Sequence, residues 1–196
     1  YKRQIVDNDY GNGFTTVFKA EMQAKGATVG TVSKVPDQQG AVVSSQVTEA
    51  CAGSPDSVTL VVYTKGGAEI IKAMQAQGCL SKVKLYASEG VFSPVLKESV
   101  VEQAGKDANG KYLAQGMKGT TPQATDPAFV DKYKAKYNGE APQQYAPESW
   151  DSVMVLALGA IKAKSTDGAK IQAVMLENAN APGAKCREFR DCALLL

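Results

Sequence analysis

Hydrophobic positions along the first half of the chain fall into short runs that alternate between two periods. Arg3–Val6 predicts a short strand, and Gly13–Lys25 sets Phe14, Val17, Phe18 and Met22 on one helical face, with Gly26 as its stop. Thr28–Val35 is β-branched and strand-like, and Val43–Ala52 returns to helical spacing through Val43, Val47, Ala50 and Cys51. Val58–Tyr63 is continuous and apolar, as a strand covered on both faces must be. Gly67–Gln77 carries Ile70, Ile71 and Met74 in helical phase and ends at Gly78. Val83–Ala87 is a further strand, and Ser93-Pro94 is expected to cap and open a helix. Repeated strand–helix units at this spacing mean an α/β fold, a parallel sheet with right-handed crossovers and helices on both faces.

The pattern changes after Gly119. Thr120–Thr125 is a polar linker, and Asp126-Pro127 opens a helix carrying Phe129, Val130, Tyr133 and Tyr137 before Asn138-Gly139 ends it. Glu148–Lys164 is the most apolar helix, with Trp150, Val153, Met154, Ala157 and Ile161 aligned, and Asp167–Glu177 makes another. Three apolar-faced helices without a convincing strand between them need a second sheet to lie on, and these residues do not supply one. The predicted division is therefore an α/β unit at 1–118 and a helical segment at 119–196.

Composition narrows the chemistry. Of 196 residues, 44% are hydrophobic and 21% charged, which excludes a disordered tail, a collagen or a coiled coil. A net charge of +2 without a run of one sign argues against nucleic acid as a partner. The longest uncharged apolar stretch, Ser152–Ile161, is about half of the roughly 20 residues a spanning helix needs. The complete lack of histidine removes Ser-His-Asp and Cys-His catalysis and His-ligated zinc. The chain opens on Tyr1 without a signal-like leader and closes on Ala193-Leu194-Leu195-Leu196, which reads as a fragment or truncated reading frame.

Four cysteines allow three pairings. Two local pairs, Cys51–Cys79 and Cys186–Cys192, are the simplest, and four reduced thiols are the alternative. Neither pair has zinc-ligand spacing, so no metal site is expected. Disulfides place a protein outside the cytosol.

In a parallel sheet, ligands bind in the crevice outside the carboxyl ends of the strands. The residues there are Asp7-Asn8-Asp9-Tyr10-Gly11, Thr64-Lys65-Gly66-Gly67 and Ser88-Glu89-Gly90. Three polar, glycine-punctuated junctions converging on one rim point to a site, the alternative being ordinary turns rich in Asp, Asn and Gly. Neither a dinucleotide fingerprint nor a Gly-Lys-Ser/Thr phosphate loop occurs, so no nucleotide cofactor is expected.

Asp7-Asn8-Asp9-Tyr10-Gly11-Asn12-Gly13-Phe14, at the start of a helix after a strand, resembles the same position in type I periplasmic binding proteins. These are the branched-chain amino acid (Leu/Ile/Val-type) substrate-binding components of ABC transporters. The likeness continues through Ala76-Gln77-Gly78, Leu85–Phe92, Gly116–Thr120 and Tyr145–Ser152, where the family usually has Tyr in place of Trp150. Cys186–Cys192 resembles the disulfide-bearing segment of some members.

The resemblance implies two Rossmann-like lobes closing on a ligand. Residues 1–118 would be most of the C-terminal lobe, and 119–196 would cross over to helices packing on an N-terminal lobe. It implies no catalytic residue and no cofactor. By position, Tyr10 packs over the ligand, Glu89 pairs with its ammonium, and Thr64, Lys65 and Ser88 complete the rim. Thr64-Lys65 stands where relatives often place an aromatic contact. Implied partners are a small ligand such as an amino acid and the permease subunits of the transporter. The implied location is extracytoplasmic, as a periplasmic protein or cell-surface lipoprotein.

Two other readings fit the fold class. Asp7-x-Asp9 after a first strand, with Thr64 and Lys65, resembles the haloacid-dehalogenase-like phosphatases, where the first Asp is nucleophile and the second general acid beside Mg²⁺. That family needs a later acidic pair, and Ser88-Glu89-Gly90 supplies one carboxylate. A ligand-sensing domain of a regulator is the remaining reading.

Overall fold

Ser57–Val61 (β3) is buried along its whole length, with Val58, Leu60 and Val61 fully enclosed, because it lies between two strands and under helices. The computed structural model describes residues 2–36, 38, 40–93, 98–124, 126–180 and 182–196. They form two compact units, Tyr1–Pro122 and Gln123–Leu196.

The first unit runs β1 (Lys2–Val6), α1 (Asp9–Ala24), β2 (Val32–Val35), α2 (Ser44–Cys51), β3, α3 (Thr64–Ala76), β4 (Lys84–Ala87), β5 (Phe92–Ser93), β6 (Glu98–Ser99), α4 (Val100–Ala104) and β7 (Lys118–Gly119). Five strands make one sheet in the order β2-β1-β3-β4-β7, parallel throughout. The register sets Ile5 beside Val61 and Leu60 beside Ala87. The α/β class is therefore as the alternating pattern predicts. β5 and β6 form a small antiparallel pair.

The core lies between this sheet and α2, α3 and α4. Val58, Leu60, Val62 and Leu85 meet Val47, Ile70, Ile71, Met74 and Val100. Each such side chain contributes about 1.5–3 kcal/mol on burial. The other period shows on β4, where Leu85 and Ala87 are buried while Lys84 and Tyr86 are exposed. Cys51, at the end of α2, is bonded to Cys79, just beyond α3. Gln77 reinforces the same join by donating to the Ser44 carbonyl at 2.9 Å and accepting from Thr48 at 3.1 Å.

Helix starts differ from the periodicity reading in a consistent way. α1 begins at Asp9, four residues before Gly13, because the Asn8 side chain accepts from Gly11 N–H at 3.0 Å and caps it. α3 begins at Thr64, three residues before Gly67, so the polar junction after β3 is already helical. The strand expected at Thr28 starts at Val32. The helix expected at Ser93-Pro94 falls partly outside the described residues; Ser93 ends β5, and the next helix, α4, starts at Val100 under a Ser99 cap.

The second unit contains α5 (Pro127–Lys136), α6 (Ala146–Ala163), α7 (Gly168–Ala179) and α8 (Phe189–Ala193). Asp126 caps α5 by accepting from Ala128 N–H, and Asp167 caps α7 by accepting from Lys170 N–H, each at 3.0 Å. α6 and α7 approach closely at Gly159, where an added Cβ would lie 3.0 Å from Ile171 Cγ2, and Lys162 pairs with Glu177 at 2.7 Å. Cys186 is bonded to Cys192, and the segment between them is tied to α5 through Lys132–Glu188 and Arg187–Asp126. Among the described residues this unit has no strand. Trp150, Val153 and Ile161 of the expected apolar stripe are exposed, and Met154 and Ala157 are half-buried.

Candidate functional site

The direction in which successive strands are added reverses at β1: β2 lies on one side of β1, whereas β3, β4 and β7 follow on the other. In an open α/β sheet, the crevice outside the strand ends at such a switch point is where ligands bind. Asp7-Asn8 leaves β1 there, Val62-Tyr63 leaves β3, and Ser88-Glu89 leaves β4.

Tyr10, in the first turn of α1, and Tyr63, the residue before α3, stack with ring centroids 5.6 Å apart and planes at 21°. The Tyr10 hydroxyl donates to Ser88 Oγ at 2.7 Å, and Asn8 Nδ2 donates to the Tyr63 hydroxyl at 3.4 Å. Ser88 is buried, and its N–H continues the sheet ladder to the Leu60 carbonyl at 3.0 Å. Glu89 opens a 3₁₀ turn (Glu89–Val91) and is half-buried. Gly90 permits that turn to lie on the end of β3, because a Cβ there would stand 2.5 Å from the Val62 carbonyl oxygen and 3.3 Å from Tyr63 Cδ1. Gly11 does the same for α1, where a Cβ would meet the Val6 carbonyl oxygen at 2.0 Å.

The structure thus joins Tyr10 and Ser88 directly. Thr64 is buried at the first position of α3, and the Lys65 side chain is exposed. The apolar run Val58–Tyr63 places Tyr63 at the end of a strand rather than on the rim. β3 in fact ends at Val61, which releases Tyr63 to the rim. It supplies an aromatic at the junction where Thr64-Lys65 has none. Asn8 is one of several polar residues that the sequence places at this rim, and its bond to the Tyr63 hydroxyl singles it out.

Asp7 and Asp9, the pair of the phosphatase reading, lie just beyond β1 and at the start of α1. Asp7 is engaged by Lys34 at 2.7 Å, and that hydrogen bond holds its carboxyl below the usual aspartate range. Asp9 lies in the first turn of α1. Among the described residues, no three carboxylate or thiol groups are placed to hold a metal ion.

A parallel α/β unit with a polar crevice at its switch point, bordered by Tyr10 and Tyr63, is an architecture that receives small ligands. The chain belongs to the periplasmic binding protein family, whose sequence profile matches residues 5–190. No curated protein sequence matches it. Among solved structures, it is similar to the leucine binding protein LivK of Thermotoga maritima, with 23% identity and a TM-score of 0.58 over 89% of this chain and 48% of that one. It is also similar to a fatty acid ABC transporter substrate-binding protein from Thermomonospora curvata, with 19% identity and a TM-score of 0.58 over 92% and 46% of the two chains. A third is an ABC transporter solute binding protein of R. palustris in complex with benzoate, with 20% identity and a TM-score of 0.55 over 89% and 46%. These likenesses establish the fold. The chain spans about half the length of each of these structures. No described helix is long and apolar enough to cross a membrane.

Proposed function

We propose that the protein containing this chain is the extracytoplasmic solute-binding component of an ABC transporter, capturing an amino acid or similar small polar ligand between two lobes and presenting it to the permease. Residues 1–118 are read as one lobe and 119–196 as helices that serve the other. The observation that carries the function is the rim at the switch point, where Tyr10, Tyr63 and Ser88 are in contact and Glu89 follows at the end of β4. The family match supports the class, and the two disulfides support a location outside the cytosol, in the periplasm or on a lipid anchor.

In this reading the mechanism needs no bond making or breaking. Tyr10 and Tyr63 give the ligand an apolar floor, and the Glu89 carboxylate accepts from a ligand ammonium as closure removes water. Losing one partner of such a pair costs about 2–5 kcal/mol, or roughly thirtyfold to several thousandfold in affinity. Glu89→Gln in the two-lobed protein keeps shape and removes charge. Calorimetry against a panel of amino acids should show that loss with an unchanged thermal melt. Equal binding by parent and variant would show that the ligand has no ammonium paired at Glu89.

A further inference from the structure

We propose that the Cys186–Cys192 bond is a thiol-exchange site, opened by a small thiol at the Cys186 sulfur, and that its opening releases α8. The Cys51–Cys79 bond stays closed as a structural link. The two bonds sit in opposite surroundings. Cys79 is buried in the main core with Cys51 packed against it, and Gln77 ties the two helices together beside them. Of the four cysteines, all among the described residues, Cys186 alone is exposed, whereas Cys192 is buried on α8. An attacking thiolate needs access to one sulfur, and Cys186 offers it. Lys185 and Arg187 flank that sulfur, and with Arg190 they outnumber Glu188 and Asp191, so an approaching anion is not repelled.

The incoming thiolate bonds to Cys186 Sγ, the S–S bond breaks, and Cys192 leaves as a thiolate that takes a proton from water. A second thiolate then attacks the sulfur of the first, and Cys186 leaves in its turn. Two small thiols are thereby oxidised to their disulfide while one protein disulfide is reduced to two thiols. What holds the segment afterwards is weak. Its ties to α5 are Lys132–Glu188 and Arg187–Asp126, both exposed pairs of the kind that contribute little. α8 has five residues, too few to persist as a helix without the bond that anchors it.

The test uses the oxidised 196-residue chain in native buffer and makes no use of a crevice ligand, so it stands apart from the solute-binding reading. The chain is exposed to graded dithiothreitol or to reduced glutathione, quenched with iodoacetamide and mapped by peptide mass spectrometry. The expected result is complete loss of the Cys186–Cys192 bond before any Cys51–Cys79 bond opens, with glutathione trapped on Cys186. Hydrogen exchange of the Phe189–Ala193 amides should rise to the unprotected rate on opening, while α3 keeps its protection. Opening of Cys51–Cys79 first or at the same dithiothreitol concentration, or glutathione on Cys192 in place of Cys186, overturns the exchange site. Unchanged protection of α8 after opening overturns its release.

Discussion

The Tyr10 hydroxyl donates to Ser88 Oγ at 2.7 Å, joining the turns that follow β1 and β4, the two neighbours of β3. The bond spans 78 residues of sequence and fixes the distance between two sides of the candidate crevice. Tyr10→Phe removes the donor and keeps the ring. Because Ser88 is buried, the expected cost is about 1 kcal/mol in a urea titration, with the aromatic stack retained in the near-ultraviolet circular dichroism.

Three glycines of this unit should respond differently to alanine. At Gly11 and Gly90 the new Cβ would collide with backbone carbonyl oxygens at 2.0 and 2.5 Å, and backbone cannot swing aside as a side chain does. Each substitution should lower stability by about 1–3 kcal/mol or more. Gly13, inside α1 with nothing within 4 Å, should instead gain about 0.4–1 kcal/mol as alanine. Thermal melts of the three variants give the ordering.

Removal of the Cys51–Cys79 bond, with serine at both positions, should cost about 3.5 kcal/mol by the loop-entropy estimate, against about 2 kcal/mol for the shorter Cys186–Cys192 loop. Non-reducing peptide mapping checks the pairing, and denaturation of each double variant checks the order.

The exposed pair Asp7–Lys34 ties the end of β1 to β2. The Lys34 hydrogen bond lowers the Asp7 pKa in the folded chain, so its contribution is present above the unfolded carboxyl pKa and is lost as pH falls through the folded value. An NMR titration of Asp7 should find it below the usual aspartate range, and Lys34→Ala should raise it.

Much of this fold was legible because its strands are buried by period. Val58–Tyr63 reads as a central strand from its continuous apolar run, and Ile70, Ile71 and Met74 fall on one helical face. Junction residues were harder. Tyr63 is aromatic and adjoins an apolar run, so periodicity assigns it to the strand, and only the backbone shows that β3 stops at Val61. Likewise, the polar junctions at Asp9 and Thr64 look like loops, although capping and the sheet edge make them first turns of helices. β7, two residues long, is visible only by its pairing with Tyr86 and Ala87, which hydrophobic spacing cannot reveal. Tyr10 and Ser88 were recognisable as rim residues from chain position, but their hydrogen bond depends on the rotation of α1 set by the close approach at Gly11.

Trp150 is the single tryptophan of the chain and stands half in solvent on α6. Its fluorescence therefore reports on Gln123–Leu196, whereas the crevice of the first unit carries tyrosines and stays silent under tryptophan-selective excitation. A melt followed by emission thus watches the second unit alone, whereas tyrosine dichroism draws on both, since Tyr133, Tyr137 and Tyr145 lie in the second unit. Any apolar surface that settles on α6 will drive water from the indole and move its emission to the blue.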